Sequence, residues 1–102
     1  MTPPRAPSLK KMPLSSIFDA LSDPIRLDVI QVLLRQDEGS CGACKGTVSK
    51  STMSHHFKVL REAGLIQKRE EGTVHYLSLR HEEIEARVPG LLALLAKVTG
   101  PY

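Results

Sequence analysis

The sequence predicts a single, mainly α-helical domain that carries one β-hairpin. Three observations predict it. Apolar residues recur every three or four positions in four stretches, beginning at Leu14, Leu27, Met53 and Ile84. Between residues 65 and 79 that period gives way to two extended runs, "LIQKRE" and "VHYLSL", set about "EGT". A glycine between extended runs signals a hairpin. The chain has 102 residues, the length of one domain, and no linker long enough to separate two. Residues 1–12 are expected to form a flexible arm and residues 13–99 the folded domain.

In chain order, "MTPPRAPSLKKMP" has the prolines and early charges of a disordered arm. It lacks the apolar run that a signal peptide would need. Leu14, Ile17, Phe18 and Leu21 then mark one face of a short amphipathic helix. "SDP", residues 22–24, ends that helix and starts the next: Asp23 can cap it and Pro24 suits the first helical position. The second helix runs to about Gln36, with Leu27, Val29, Ile30, Leu33 and Leu34 turned inward, until "DEGS" breaks it. Residues 41–47 have room for one or two helical turns, which Gly42 and Gly46 weaken. Ser49 caps a helix over 50–63 whose inward stripe is Met53, Phe57 and Leu60, and Gly64 stands where a left-handed end is wanted. The last segment starts near Glu82 and turns Ile84, Val88, Leu91, Leu92 and Leu95 to one side, with Pro89-Gly90 expected to kink or divide it.

Composition narrows the function classes. Apolar residues make up 41% and charged residues 25%, as in an ordinary soluble fold. A net charge of +3 and a pI near 9.1 favour an anionic partner. Only 4% of residues are aromatic, which argues against stacking of single-stranded bases. No run approaches the ~20 apolar residues that span a membrane. We therefore expect a cytoplasmic, reducing compartment, in which the two cysteines are thiols and not a structural disulfide. So short a monomer buries a modest core, and oligomerisation would help it.

On a wheel of 3.6 residues per turn, Ser51, Ser54, His55 and Lys58 share one arc opposite Met53 and Phe57. Small donors near the N-terminus let a backbone approach bases in the major groove, and Lys58 or Arg61 can reach phosphates. A short helix and a tight turn ahead of it would make residues 50–63 the recognition helix of a helix-turn-helix. Any solvated helix also has a polar arc, so this pattern alone leaves both readings open. The hairpin, residues 65–80, adds Gln67, Lys68 and Arg69 on one strand and Thr73 and His75 on the other. Such a basic ribbon can straddle the backbone and enter the minor groove, although lysine and glutamate also blunt an ordinary sheet edge.

The stretches "LSDPIRLDVIQVLL" and "VSKSTMSHHFKVLREAGLIQKREEGTVHYLSL" resemble the ArsR/SmtB family of bacterial winged-helix repressors, over about residues 17–95. The resemblance implies a homodimer that binds double-stranded operator DNA and leaves it on sensing a metal ion, a metalloid or another chemical signal. It also implies a dimer interface built from the first and last helices. That suits the apolar stripes Leu14, Ile17 and Leu21, and Leu91, Leu92 and Leu95, which could otherwise pack on the same chain's core. Ser51, Thr52, Ser54 and His55 match the family's DNA-contacting region. His56 falls at the border of the buried face and reads as a packed, hydrogen-bonded histidine. The resulting DNA-contact set is Ser51, Thr52, Ser54, His55, Lys58, Arg61, Lys68, Arg69 and Thr73.

Cys41 and Cys44 stand where metal-sensing members of the family often carry thiolates. At i and i+3 both sulfurs could hold one soft metal or metalloid ion. A structural zinc site would want four ligands, and only two cysteines are present. Packing thiols, an oxidant sensor and a metal or metalloid sensor all remain open. "CGAC" as the redox dithiol of an oxidoreductase lacks the strand and βαβ setting of thioredoxin-like motifs. No nucleophile–base pair in a motif context, phosphate-cradling glycine loop or catalytic carboxylate pair is present, so a regulator and not an enzyme is expected. A plain protein-interaction module is the third reading, and it would show no salt-dependent binding to duplex DNA.

Overall fold

The computed structural model describes residues 9–35, 39–40 and 49–98. Leu9–Lys11 form one 3-10 turn. Helices follow at Leu14–Ala20 (α1) and Pro24–Arg35 (α2), then a two-residue strand Gly39–Ser40 (β1). Helix α3, Lys50–Glu62, leads into the hairpin strands Ile66–Glu71 (β2) and Val74–Leu79 (β3), and α4 (His81–Arg87) and α5 (Leu91–Lys97) close the chain. None of the described helices is long and apolar enough to cross a membrane.

Local rules account for the ends of the central helices. Asp23 caps α2: its carboxylate accepts the N–H groups of Ile25 at 2.8 Å and Arg26 at 3.3 Å, and its carbonyl accepts from Leu27 at 2.9 Å. Ser49 caps α3 by accepting the Thr52 N–H at 3.3 Å. At the far end Gly64 takes a φ of 83°. Its N–H bonds to Arg61 O at 3.0 Å, and that of Leu65 bonds to Leu60 O at 3.1 Å. This is the left-handed stop in which only glycine avoids a Cβ clash. Leu60 and Leu65 are both buried beside it.

The Asp23 cap gives a stability prediction with a definite sign. Burial pushes its carboxyl up, but the two N–H donors, and then the positive charges of His56 and Arg26 in acid, hold it below the ordinary 3.8. A depressed folded value means a contribution fully present above the unfolded value and lost as pH falls through the folded one. Asp23→Ala should therefore cost about 0.5–2 kcal/mol at neutral pH, the usual worth of an N-cap. Denaturant melts of the two proteins should converge once the pH drops well below 3.8.

The core gathers Ile17, Val29, Ile30, Leu33, Met53, Phe57, Leu60, Leu65, Ile66, Leu77, Leu79 and Ile84. The sheet order is β1-β3-β2, all antiparallel. The hairpin register pairs Ile66 with Leu79 and Glu71 with Val74, so the loop is Gly72-Thr73, with Gly72 at a φ of 63°. Glycine at the first loop position suits the tight right-twisting hairpin turn. Pro89-Gly90 divides the last segment: Gly90, at a φ of 84°, donates its N–H to Glu85 Oε1 at 3.0 Å and opens α5.

Four expectations are corrected. Helix α2 ends ahead of "DEGS" as expected, but Gly39 and Ser40, where no strand is expected, pair with Leu77 and Tyr76 as a third strand. Of the arm expected over residues 1–12, residues 9–12 are described, and Leu9–Lys11 form a 3-10 turn. Leu9 is buried, and Arg87 on α4 donates from Nε to Leu9 O at 3.3 Å and from Nη2 to Met12 O at 3.2 Å. In the stripes assigned to a dimer interface, Ile17 is 0% exposed and Leu21, Leu91 and Leu92 are each 8% exposed within one chain. They have almost no surface left to offer a partner. Leu14 remains exposed and Leu95 half-buried, while Phe18 (47%), Leu94 (62%) and Val98 (39%) hold the outward apolar surface of α1 and α5. The fourth correction concerns the hairpin's charge and is taken up with the interface below.

Candidate nucleic-acid interface

Helix α3 is fixed from one side and open on the other. Met53, Phe57 and Leu60 are buried against α2 and β2, and His56 joins them at 6% exposure. Ser51, Thr52, Ser54, His55 and Lys58 are all exposed. Arg61 is half-buried in the last turn, at the edge of that arc. The first turn is crowded with hydroxyls. Ser49 Oγ donates to Thr52 Oγ1 at 2.8 Å and lies 3.5 Å from Ser51 Oγ. These short donors sit where the N–H groups of the first turn favour an anion.

The hairpin is not a basic ribbon. Strand alternation sends Lys68 and Arg69 to opposite faces, and each meets a carboxylate of its own strand. Lys68 Nζ is 3.6 Å from Glu70, and Arg69 hydrogen-bonds Glu71 while its guanidinium lies 4.6 Å over the Tyr76 ring. His75, cross-strand from Glu70, is 3.9 Å from it, and Gln67 donates to Ser78 Oγ at 3.3 Å. With two cations and two carboxylates between residues 66 and 79, the two strands and their loop carry no net charge when His75 is neutral. Thr73 is exposed at its tip beside Val74. The face of α3 is therefore the better electrostatic match to DNA.

One contributor was not foreseen. Arg26 Nη1 donates to His56 Nδ1 at 3.2 Å, Nε donates to Ala20 O at 2.6 Å and Nη2 to Asp19 O at 3.4 Å. The only signal in the sequence was that His56 borders the buried face and needs a partner. Cys41 and Cys44 lie outside the described residues. Among the described residues no group of three or more His, Cys, Asp or Glu could hold a metal ion.

The chain is similar to several known proteins. A family model described as "Bacterial regulatory protein, arsR family" matches residues 23–68, from the α2 cap through α3 into β2. The chain is 43% identical over 84 residues to the uncharacterized HTH-type transcriptional regulator YceK of Bacillus subtilis, covering 79% of this chain and 84% of that one. It is 34% identical over 73 residues to the arsenical resistance operon repressor of Staphylococcus xylosus, covering 71% and 70%. Among solved structures, the transcriptional repressor BigR of Xylella fastidiosa superposes with a TM-score of 0.68 at 24% identity, over 87% of this chain and 88% of that one, a likeness of fold.

Proposed function

The chain belongs to the arsR family of bacterial regulatory proteins, a family of DNA-binding transcriptional regulators, and from that premise we propose that it is a repressor that binds operator duplex as a homodimer. The exposed arc of α3 carries this reading: donors and a cation on one side of a helix whose other side is locked into the core. Two copies of α3 would enter successive major grooves of a roughly palindromic site, half-sites about one helical turn apart. Ser51, Thr52, Ser54 and His55 would face base edges. Lys58 and Arg61 would meet phosphates, with Lys68, Arg69 and Thr73 of the wing alongside. An aqueous cytoplasmic setting, with no membrane partner and no chemical turnover, completes the reading.

Fluorescence anisotropy across a salt series tests it. Wild type should bind a duplex selected from a random library with a steep salt slope. Lys58→Ala should weaken binding to every sequence and flatten the slope by about 0.9 unit, one phosphate contact. Lys68→Ala should change the slope less, because Glu70 already neutralises that side chain. Absence of any salt-dependent duplex binding would instead favour a protein-interaction module.

A second reading adds a signal to the same protein. Two thiols three residues apart, Cys41 and Cys44, are donor chemistry for a soft ion, and one relative is named for arsenical resistance. Trivalent arsenic, zinc or an oxidant should then release the DNA complex of wild type but not that of the Cys41→Ser/Cys44→Ser variant. Identical release by both would make the thiols passive. Dithiol oxidoreductase activity is checked by a disulfide reduction assay, where none is expected.

A further inference from the structure

The core grips α3 mainly through Met53, Phe57 and Leu60. Apolar burial is non-directional, so that stripe holds the helix down without fixing its rotation closely. Rotation matters at the groove. Side chains end on a radius of about 5–6 Å from a helix axis, so a turn of about 10° moves their tips by about 1 Å. A hydrogen bond to a base edge tolerates little of that. Among the described residues, α3 makes a directional side-chain contact with α2 at His56, on the flank of the stripe next to the exposed His55, their ring centroids 5.7 Å apart.

We infer that Arg26 and His56 are positioning residues for sequence reading: their contact sets the rotation of α3 and so aims Ser51, Ser54 and His55. Arg26 is itself held at three points, one on its backbone and two on its guanidinium. Asp23 accepts the Arg26 backbone N–H, and the Ala20 and Asp19 carbonyls at the end of α1 accept Nε and Nη2. The third guanidinium nitrogen, Nη1, donates to His56 Nδ1. A guanidinium can only donate, so the ring presents its Nδ1 lone pair and carries its proton on Nε2. One side chain at the start of α2 thus joins the end of α1 to the middle of α3. This role rests on the repressor reading and adds to it two residues that touch no DNA.

The test compares two replacements of His56. Leucine fills the buried space without an acceptor, and asparagine places its amide oxygen near the position of Nδ1. Each is measured on the duplex selected by wild type, on random duplex, in thermal melts, and by residual dipolar couplings of α3 relative to α2. His56→Leu should lose about tenfold or more in affinity for the selected duplex, the scale of one misplaced base contact, with random-duplex affinity within about twofold. Its couplings should report a turned α3. His56→Asn should recover most of both, and Arg26→Lys, unable to bridge three acceptors, should behave like His56→Leu. The Arg26 variant carries the comparison should His56→Leu not fold. Equal losses on both duplexes, or unchanged couplings in the folded variants, would overturn the inference. If wild type selects no sequence at all, the repressor reading fails by itself, and the dipolar couplings still decide whether this pair sets the helix.

Discussion

Alanine at both Ser54 and His55 should lower affinity for the selected operator by about 2–6 kcal/mol, two base contacts at about 1–3 kcal/mol each, and leave random-duplex binding nearly unchanged. Both side chains are exposed and neither belongs to the core. Alanine is also the better helix former, so α3 should persist between its Ser49 cap and its Gly64 stop. The phosphate-directed groups, Lys58 and the helix N-terminus, survive the change. The two duplexes must be titrated at the same salt concentration, since the non-specific component is electrostatic. Parallel losses on both would mean that this face positions the backbone and does not read sequence.

The parts of this interface that were legible in the sequence obey local rules. A cap needs only its own residue and the next three, so Asp23 and Ser49 could be read directly. Gly64 and Gly72 announce a helix end and a hairpin because few other residues take a positive φ. The inward stripe of α3 follows from spacing alone. What escaped depends on distant partners. Gly39 and Ser40 carry no alternating pattern, and they are a strand only because β3 offers them an edge. Leu9 is one apolar residue in a proline-rich stretch, buried because Arg87, 78 residues away, draws its carbonyl onto α4. The wing looked basic because Lys68 and Arg69 are adjacent. Adjacency in a strand separates them, and the two glutamates that follow offset both. The Arg26–His56 contact spans 30 residues, and no local rule points to it.

The apolar arc of α1 shows how far periodicity goes. Leu14, Ile17, Phe18 and Leu21 fall within about 100° of one another at 3.6 residues per turn. Spacing found the arc but could not say which half meets the chain's own core. The structure turns Ile17 and Leu21 inward and leaves Leu14 and Phe18 outside. In α5 the same division sets Leu91 and Leu92 inside and Leu94 outside, with Val98 exposed just past the helix end.

That division separates folding from assembly and yields the second large effect. Leu92→Asp should unfold or severely destabilise the chain. It forfeits the ~1.5–3 kcal/mol gained by burying a leucine and forces an unpaired carboxylate into apolar surroundings. Leu94→Asp should leave circular dichroism and the melting curve of the folded chain nearly intact, since 62% of that residue already meets solvent. If the outward faces of α1 and α5 meet across a two-fold axis, each such substitution enters the interface twice. Sedimentation velocity should then find monomers at concentrations where wild type is dimeric. Operator binding should weaken sharply, because a monomer contacts one half-site and loses the linked second contact. Phe18→Asp, on the matching face of α1, should give the same pair of results. A Leu94→Asp protein that still sediments as a dimer and still grips the selected operator would place the subunit interface on some other surface.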